Sequence, residues 1–315
     1  MVVMVTGVQG QLGHDVINEA VRRGHKCFGT DIDIFYSGII DETMASKLPY
    51  CHMDVSNLAT VDRVIDSLRL DAVIHCASFS DIDDAEKPIN YAKVMKVNAK
   101  GAENVAKTCK RFDAKLVYIS SDYVYTDGKD NVMKPDIVTS EPESVFGKSK
   151  LLGEQAVIDN MERYFIVRTQ WIYGIAGENF VKQILRQGEN TRTIKVADDI
   201  IGTPTYTYDL ARLLVDMIET EEYGIYNAVN EGGYVSKADV AKEVFRRAGL
   251  RTKVIPVSSE NSDLYTEKRR DVRLCTDKLR KHHFRKLPTW DSAIGRFLEQ
   301  IKYPTKVRGK LPAKE

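Results

Sequence analysis

Short apolar runs alternate with helical patterns along the first half of the chain. In the first helical segment, for example, apolar residues recur at Leu12, Val16 and Ile17, the spacing of one helix face. The predicted strands are residues 2–5, 26–30, 51–53, 72–76, 116–119 and 164–169, and the predicted helices are 11–23, 58–68, 92–111 and 143–159. Strands that alternate with helices require crossover connections, so we expect an α/β protein with a Rossmann-type, doubly wound parallel sheet.

The alternation breaks down after Trp171. Residues 172–315 contain polar loops, a few short strands and helical patterns at 181–187, 207–219 and 237–248. We therefore expect a dinucleotide-binding domain at 1–171 and a smaller C-terminal substrate-binding region at 172–315. The two are expected to be interleaved, with residues 205–228 packing back on the sheet.

Composition narrows the class of protein. Hydrophobic residues make up 43% of the chain, and 46 Lys and Arg face 45 Asp and Glu for a net charge of +1. A core can therefore form, and the strong positive field that nucleic-acid binding requires is missing. The 5 cysteines are scattered without a C-x-x-C pair, so no disulfide framework and no metal site are expected. No stretch approaches a transmembrane length, and we expect a soluble, cytoplasmic protein; a homodimer is left open.

Three glycines separate the first strand from the first helix. Gly7, Gly10 and Gly13 have the spacing G-x-x-G-x-x-G, with Gln11 and Leu12 opening the helix. Glycines permit a tight turn and let backbone N–H groups approach a pyrophosphate at the positive end of the helix dipole. An isolated glycine turn would be unremarkable, but its place between a strand and a helix predicts a nucleotide site.

Acidic residues follow the next two strands. Asp31 lies where a carboxylate can accept hydrogen bonds from a ribose 2′-hydroxyl and repel a 2′-phosphate. This favours NAD(H) over NADP(H) modestly, because Asp33 is also available and Arg22 and Arg23 lie nearby. Asp54 and Val55 could flank an adenine or could equally form a helix-initiating turn.

A second group of residues is predicted near the carboxyl end of the fifth strand, where open α/β sheets bind ligands. Ser121 ends that strand. Phe146 and Lys150 are four residues apart in the next helix, so they share one helix face.

The chain resembles the extended short-chain dehydrogenase/reductases and, among these, the dTDP-4-dehydrorhamnose reductase family. The resemblance rests on segments at 6–13, 76–86, 120–124, 146–150, 168–174, 178–181 and 202–206. It implies NAD(P)H-dependent reduction of a dTDP-4-keto-6-deoxy sugar, with a nucleotide sugar as substrate. Another nucleotide-sugar epimerase or dehydratase is an alternative that the segments at 168–174 and 178–181 disfavour.

The family pattern assigns roles to individual positions. It implies that the Ser121 hydroxyl binds the substrate oxygen, and that Lys150 holds the nicotinamide ribose and lowers the pKa of a catalytic tyrosine. Phe146 stands where that tyrosine is expected. The pattern also implies substrate contacts from Asp122 and Trp171. Further cofactor contacts are implied for Ala77, Ser78, Phe79 and Ile119.

Phe146 keeps the ring but cannot donate a proton, and loss of a general acid typically costs ~10²–10⁴-fold in rate. Two explanations stay open: an introduced substitution in a reductase, or a degenerate relative that binds nucleotide and regulates a partner. The regulatory β-subunit of methionine adenosyltransferase, which resembles this family, is a precedent for the second. Tyr123, two residues beyond Ser121, is a hypothetical substitute donor.

Other departures from the family pattern concern the substrate end of the site. Ile200 follows Asp199 where the family has glutamine, Lys268 and Arg269 stand in place of Arg-Pro, and Thr126 is an extra residue. These differences leave dTDP-4-dehydrorhamnose as the leading substrate and keep other nucleotide sugars open.

Overall fold

The structure is a computed structural model that describes residues 1–40, 43–126, 132–137, 141–263 and 270–303. Lys268 and Arg269 lie outside the described residues. The strands are β1 Val2–Thr6, β2 Lys26–Asp31, β3 Tyr50–His52, β4 Ala72–His75, β5 Lys115–Ser121, β6 Val132–Met133, β7 Tyr164–Thr169, β8 Ile172–Tyr173, β9 Thr193–Ala197, β10 Ile200–Gly202, β11 Thr205–Tyr206, β12 Gly224–Asn227, β13 Asn230–Glu231, β14 Val235–Ser236, β15 Lys253–Val257, β16 Arg270–Asp271, β17 Arg273–Leu274 and β18 Leu287–Thr289. The α-helices are α1 Gln11–Arg22, α2 Leu58–Leu68, α3 Ile82–Ala85, α4 Tyr91–Met95, α5 Gly101–Arg111, α6 Val145–Asn160, α7 Phe180–Asn190, α8 Thr207–Ile218, α9 Lys237–Ala248, α10 Asp277–Lys281 and α11 Trp290–Gln300.

Seven strands form one parallel sheet in the order β12-β7-β5-β4-β1-β2-β3. Strand β1 lies inside the sheet, with β2 and β3 on one side of it and β4, β5, β7 and β12 on the other. This order is the doubly wound arrangement. The predicted fold class is therefore confirmed. Six strands of this sheet match the predicted ones to within a few residues, while the edge strand β12 was not among the predicted strands.

Side chains alternate between the two faces of the sheet. In β1, Val3 and Val5 pack with α1 and α8, whereas Met4 packs on the other face with α2 and α5. Both faces are buried, which explains why the strands are continuous apolar runs rather than alternating apolar and polar residues. Helix α8 packs against α1, and β12 pairs with β7 in the main sheet.

A further apolar cluster lies among the C-terminal elements. It contains side chains of α7, α9 and α11, with Ile194 and Val196 contributed by β9. Helix α11 is absent from the sequence-based prediction. None of the helices in the described part of the chain is long and apolar enough to cross a membrane.

The predicted helix at 92–111 is interrupted. Helix α4 ends at Met95, a π-helical turn spans Lys96–Lys100, and α5 begins at Gly101. π-Helical turns are rare in proteins, and those that do occur are often found at functional sites. Here the turn contains Asn98, whose contacts are described with the site. The prediction of one regular helix was wrong because sequence periodicity does not register one extra residue per turn.

A buried ion pair joins α6 to the sheet. The guanidinium of Arg168, on β7, donates to both carboxylate oxygens of Glu154 on α6, at 2.8 and 2.6 Å. The same carboxylate accepts a hydrogen bond from the hydroxyl of Ser120 on β5 at 2.5 Å. The Arg168 and Glu154 side chains are only 4% and 2% exposed. Because water cannot solvate these side chains, the charge of each must be balanced by the charge of the other.

Replacing Arg168 with methionine should destabilise the protein by about 3–5 kcal/mol, because it leaves the Glu154 carboxylate buried without its counter-ion. Urea unfolding of the variant beside the unsubstituted protein measures this difference in stability. Arg246→Met is the matched control. It removes an arginine that is 66% exposed and paired with Glu243, so it should cost less than about 1 kcal/mol. Equal effects of the two substitutions would contradict a structural role for the buried pair.

Candidate functional site

A cleft of about 890 Å³ opens at the carboxyl ends of the central strands. Every residue that the sequence analysis assigned to cofactor, substrate or catalysis lines it. These are Gly7, Gly10, Gln11, Leu12, Gly13, Asp31, Asp54, Val55, Ala77, Ser78, Phe79, Ile119, Ser121, Asp122, Phe146, Lys150 and Trp171. The volume is within the range of ~300–1,000 Å³ that small-molecule sites occupy.

The glycine loop is held so closely that two of its members admit no side chain. Gly7 has a φ of +66°, and a Cβ on it would lie 2.6 Å from the backbone nitrogen of Ala77. A Cβ on Gly13 would lie 2.1 Å from the carbonyl oxygen of Gly7. No side chain caps helix α1 at Gly10. The loop therefore presents a helix N-terminus with the character of an anion site.

The side chain of Gln11 is engaged by the protein. Its oxygen accepts hydrogen bonds from the Gly174 backbone and the Asn179 side chain, both at 3.1 Å. Its nitrogen donates to the Glu178 carbonyl at 3.1 Å. Any contact of Gln11 with a cofactor is therefore expected from its backbone, while its side chain fixes the glycine loop to the 174–179 segment.

Asp31 lies at the end of β2. Its carboxylate accepts backbone N–H groups from Gln9 at 3.0 Å and from Ile32 at 2.8 Å. Two such bonds orient the carboxylate and leave lone pairs for a further donor. Asp54 accepts hydrogen bonds from the backbone and hydroxyl of Ser56 at 2.9 and 2.6 Å. Asp54 thus forms a local turn and also lines the cleft, so the two roles considered for it are compatible.

Asn98 ties together two segments that border the cleft. Its side-chain oxygen accepts from the Phe79 backbone at 2.7 Å and from the Ser78 hydroxyl at 3.1 Å. Its side-chain nitrogen donates to the Phe79 carbonyl at 3.1 Å and to the Ser149 hydroxyl at 2.9 Å. The π-helical turn therefore places one amide where it connects the loop after β4 to α6, beside Lys150.

Ser121 is positioned at the junction of β5 and the turn that follows. Its hydroxyl donates to the Asp122 carboxylate at 3.0 Å and accepts the Tyr123 backbone N–H at 3.3 Å. The Asp122 carboxylate also accepts from the Gln170 side chain at 3.2 Å. The serine hydroxyl is thus oriented by an ordered polar network and lines the cleft.

Phe146 occupies the first turn of α6 and packs edge-on against Tyr123, with ring centroids 5.5 Å apart. The guanidinium of Arg270 lies over the Tyr123 ring, 4.1 Å from the ring centroid. The Tyr123 hydroxyl is enclosed by protein and has no hydrogen-bond partner among the described residues. It could reach a substrate only if its side chain moved.

Lys150 lies one turn beyond Phe146 and is 4% exposed. Its ammonium is 4.5 Å from the centroid of the Tyr118 ring. Burial lowers the pKa of Lys150 to about 8, although the charge of Glu154 opposes the shift. The cleft thus contains an ammonium whose proton is readily exchanged near neutral pH.

Two features of the site were not found from the sequence. Trp171 has a φ of +47°, a conformation unusual for a residue with a side chain. The ammonium of Lys237, from α9, lies 3.8 Å from the Trp171 ring centroid and also lines the cleft. The strong helical pattern at 237–248 placed Lys237 at a helix start, but no sequence signal brought that helix next to Trp171. In the described ranges no group of three or more His, Cys, Asp or Glu could hold a metal ion.

The parallel sheet, the glycine loop before α1 and a cleft lined by both Ser121 and Lys150 are the features that the resemblance to the extended short-chain dehydrogenase/reductases predicts. The model of the RmlD substrate binding domain family matches residues 1–303. The chain therefore belongs to the RmlD substrate binding domain family.

Named relatives agree with this assignment. The chain is 34% identical over 262 residues to dTDP-4-dehydrorhamnose reductase of Mycobacterium tuberculosis, covering 81% of this chain and 79% of the relative. It is 30% identical to the spore coat polysaccharide biosynthesis protein SpsK of Bacillus subtilis, covering 82% and 83%. The crystal structure of the Bacillus anthracis dTDP-4-dehydrorhamnose reductase in complex with NADP superposes with a TM-score of 0.84 at 32% identity, covering 95% of this chain and 99% of that one.

Substituting two glycines of the loop should separate folding from ligand binding. Gly13→Ala should lower stability by about 1–3 kcal/mol or more, because its Cβ collides with the Gly7 carbonyl. A Cβ on Gly10 would lie 3.3 Å from the same oxygen, so Gly10→Ala should fold nearly normally but bind NADH more weakly. Thermal unfolding and NADH fluorescence titration measure the two effects. A Gly13→Ala protein of unchanged stability would contradict the close approach.

Proposed function

We propose that this chain is an NAD(P)H-dependent reductase of a dTDP-4-keto-6-deoxy sugar, with dTDP-4-dehydrorhamnose as substrate and dTDP-rhamnose as product. The observation that carries the proposal is the meeting of Ser121, position 146 and Lys150 in the same cleft as the glycine loop. Membership of a family with named reductases supports the substrate class. A cytoplasmic location is part of the proposal and is supported by the free thiols of the cysteines.

The residues present fit a nicotinamide dinucleotide. The glycines at positions 7 and 13 let the loop pack tightly against neighbouring backbone, which holds the turn in place, and the uncapped start of α1 favours an anion such as a pyrophosphate. Asp31 would hold the adenine-side ribose, which supports NADH as the preferred cofactor. Ala77, Ser78, Phe79, Ile119 and Lys150 would contact the remainder. When bound, the reduced nicotinamide supplies the hydride that the carbonyl carbon accepts.

The protein side chains would bind and polarise the keto group. The Ser121 hydroxyl, oriented by Asp122, would donate a hydrogen bond to the carbonyl oxygen as negative charge develops there. The Lys150 ammonium adds positive charge to the same cleft. Trp171 would pack against the sugar or base. Asp122 would also contact the substrate.

Completion of the reduction requires a proton at the former carbonyl oxygen, and Phe146 cannot supply it. The nearby groups that carry exchangeable protons include the Lys150 ammonium and the Tyr123 hydroxyl. Phe146 should therefore slow the reaction without disturbing cofactor or substrate binding. The alternative function, a nucleotide-binding regulatory relative without turnover, rests on Phe146 as well and makes a different prediction.

Phe146→Tyr should raise the rate of NADH oxidation with dTDP-4-dehydrorhamnose by about 10²-fold or more, because it places a phenol one helical turn from Lys150. Steady-state kinetics with NADH and with NADPH, for the unmodified chain and the variant, test the substrate and the cofactor preference together. No gain in rate with NADH binding intact would contradict the reductase and favour the regulatory relative.

Two additional variants serve as controls for that assay. Phe146→Leu removes the aromatic ring without adding a proton donor, so it should show no gain. Tyr123→Phe tests the substitute donor in the chain that carries Phe146, and unchanged turnover would contradict a role for Tyr123 as the proton donor.

The pH dependence of turnover should follow the protonation of Lys150. Its pKa is lowered to about 8 by burial, so the side chain is charged below that pH and neutral above it. We expect kcat/KM for the sugar, which reports protonation states before the sugar binds, to be level below that value and to fall as the pH rises through it. A pH series on the unmodified chain measures this, and a kcat/KM that increases through the same range would contradict a role for the charged form.

A further inference from the structure

Lys237 lines the cleft but has no role in the cofactor, substrate or catalytic assignments above. It is the first residue of α9, and it is only 3% exposed. Its ammonium lies 3.8 Å from the centroid of the Trp171 ring and 4.8 Å from that of the Phe180 ring. It lines the same cleft as Ser121 and Lys150.

The position of this ammonium is unfavourable for folding. The start of a helix is the positive end of its dipole, where a cation is disfavoured and an anion is favoured. Burial also disfavours the charged form and lowers the pKa of Lys237 to about 7, although the charge of Asp122 opposes the shift. The aromatic faces of Trp171 and Phe180 compensate in part. A cation retained at such a place is a candidate for binding an anionic ligand.

Lys237 also lies near the polar groups that surround the Ser121 hydroxyl. Asp122, whose charge acts on Lys237, is the residue that accepts the hydrogen bond of the Ser121 hydroxyl at 3.0 Å. Trp171 directly follows Gln170, which donates to the same Asp122 carboxylate at 3.2 Å. Lys237 therefore belongs to the part of the cleft next to Ser121, and it comes from a different element than the glycine loop.

We propose that Lys237 binds the diphosphate of the nucleotide-sugar substrate. The ring of Trp171, which contacts the Lys237 ammonium, positions that ammonium for binding. The assignment rests on the proposed function for the identity of the ligand. A nucleotide sugar carries two negative charges between its base and its sugar, and one buried ammonium at the wall of the cleft is a strong partner for them. Lys237 is thus a determinant of substrate affinity and does not transfer a proton.

The experiment compares Lys237→Met with Lys237→Arg and with the unsubstituted protein. The probes are dTDP, which contains the diphosphate, thymidine, which lacks it, and NADH. Lys237→Met should weaken dTDP binding by about tenfold or more, while thymidine and NADH binding stay unchanged. Lys237→Arg should restore part of the dTDP affinity because it keeps the charge. Isothermal titration calorimetry measures the dissociation constants of dTDP and NADH, and NMR titration measures that of thymidine.

Lys115→Met is the matched control, because Lys115 is also a buried lysine, only 7% exposed, whose ammonium donates to the carbonyls of Ile218 and Thr220 outside the cleft. Its loss should leave dTDP binding unchanged. In turnover, Lys237→Met should raise the KM for the sugar at least about tenfold and leave kcat within about threefold.

Distinct outcomes separate this proposal from the proposed function. Unchanged dTDP affinity in Lys237→Met, or a parallel loss of thymidine or NADH binding, overturns the role of Lys237 even if the sugar is reduced. A fall in kcat with unchanged KM also overturns it, since that would place Lys237 in the chemical step. Selective loss of dTDP binding in a chain that does not reduce the sugar supports Lys237 and overturns only the reductase.

Discussion

The carboxylate of Glu154 sets the relative positions of the elements that form the site. It lies one helical turn beyond Lys150 on α6, and it binds Arg168 on β7 and Ser120 on β5. Because the pair is buried, each partner would be left as an uncompensated charge if α6 shifted along the sheet. Ser121 directly follows Ser120, so the same contact fixes the serine hydroxyl relative to the lysine. The side chains of Ser121 and Lys150, which line the cleft, are therefore held in place by the buried pair of Glu154 and Arg168.

The cleft around Phe146 contains an ordered set of polar side chains. Ser121 is oriented by Asp122, the buried ammonium of Lys150 is kept despite its desolvation, and Asn98 connects the loop after β4 to α6. Burying the charged form of a lysine costs free energy unless another group pairs with the charge or binds it. These ordered surroundings are the physical reason to test whether a single hydroxyl at position 146 raises turnover.

Much of the fold could be predicted from the sequence, because its central elements have strong local signals. Strands buried on both faces are continuous apolar runs, and helices such as α2 show one apolar face. The elements that escaped prediction lack such signals. β12 is four residues long and owes its place to pairing with β7. The π-helical turn before α5 differs from a regular helix only in backbone geometry.

The sequence by itself determined the glycine loop, the acid after β2 and the four-residue spacing of Phe146 and Lys150, because these depend on residues close together in the chain. The tertiary structure alone decided which distant residues complete the cleft. Asn98 meets Phe79 through a π-helical turn, and Lys237 meets Trp171 because α9 packs beside a tryptophan with positive φ. Such contacts arise from the packing of whole elements, and local periodicity carries no information about which elements become neighbours.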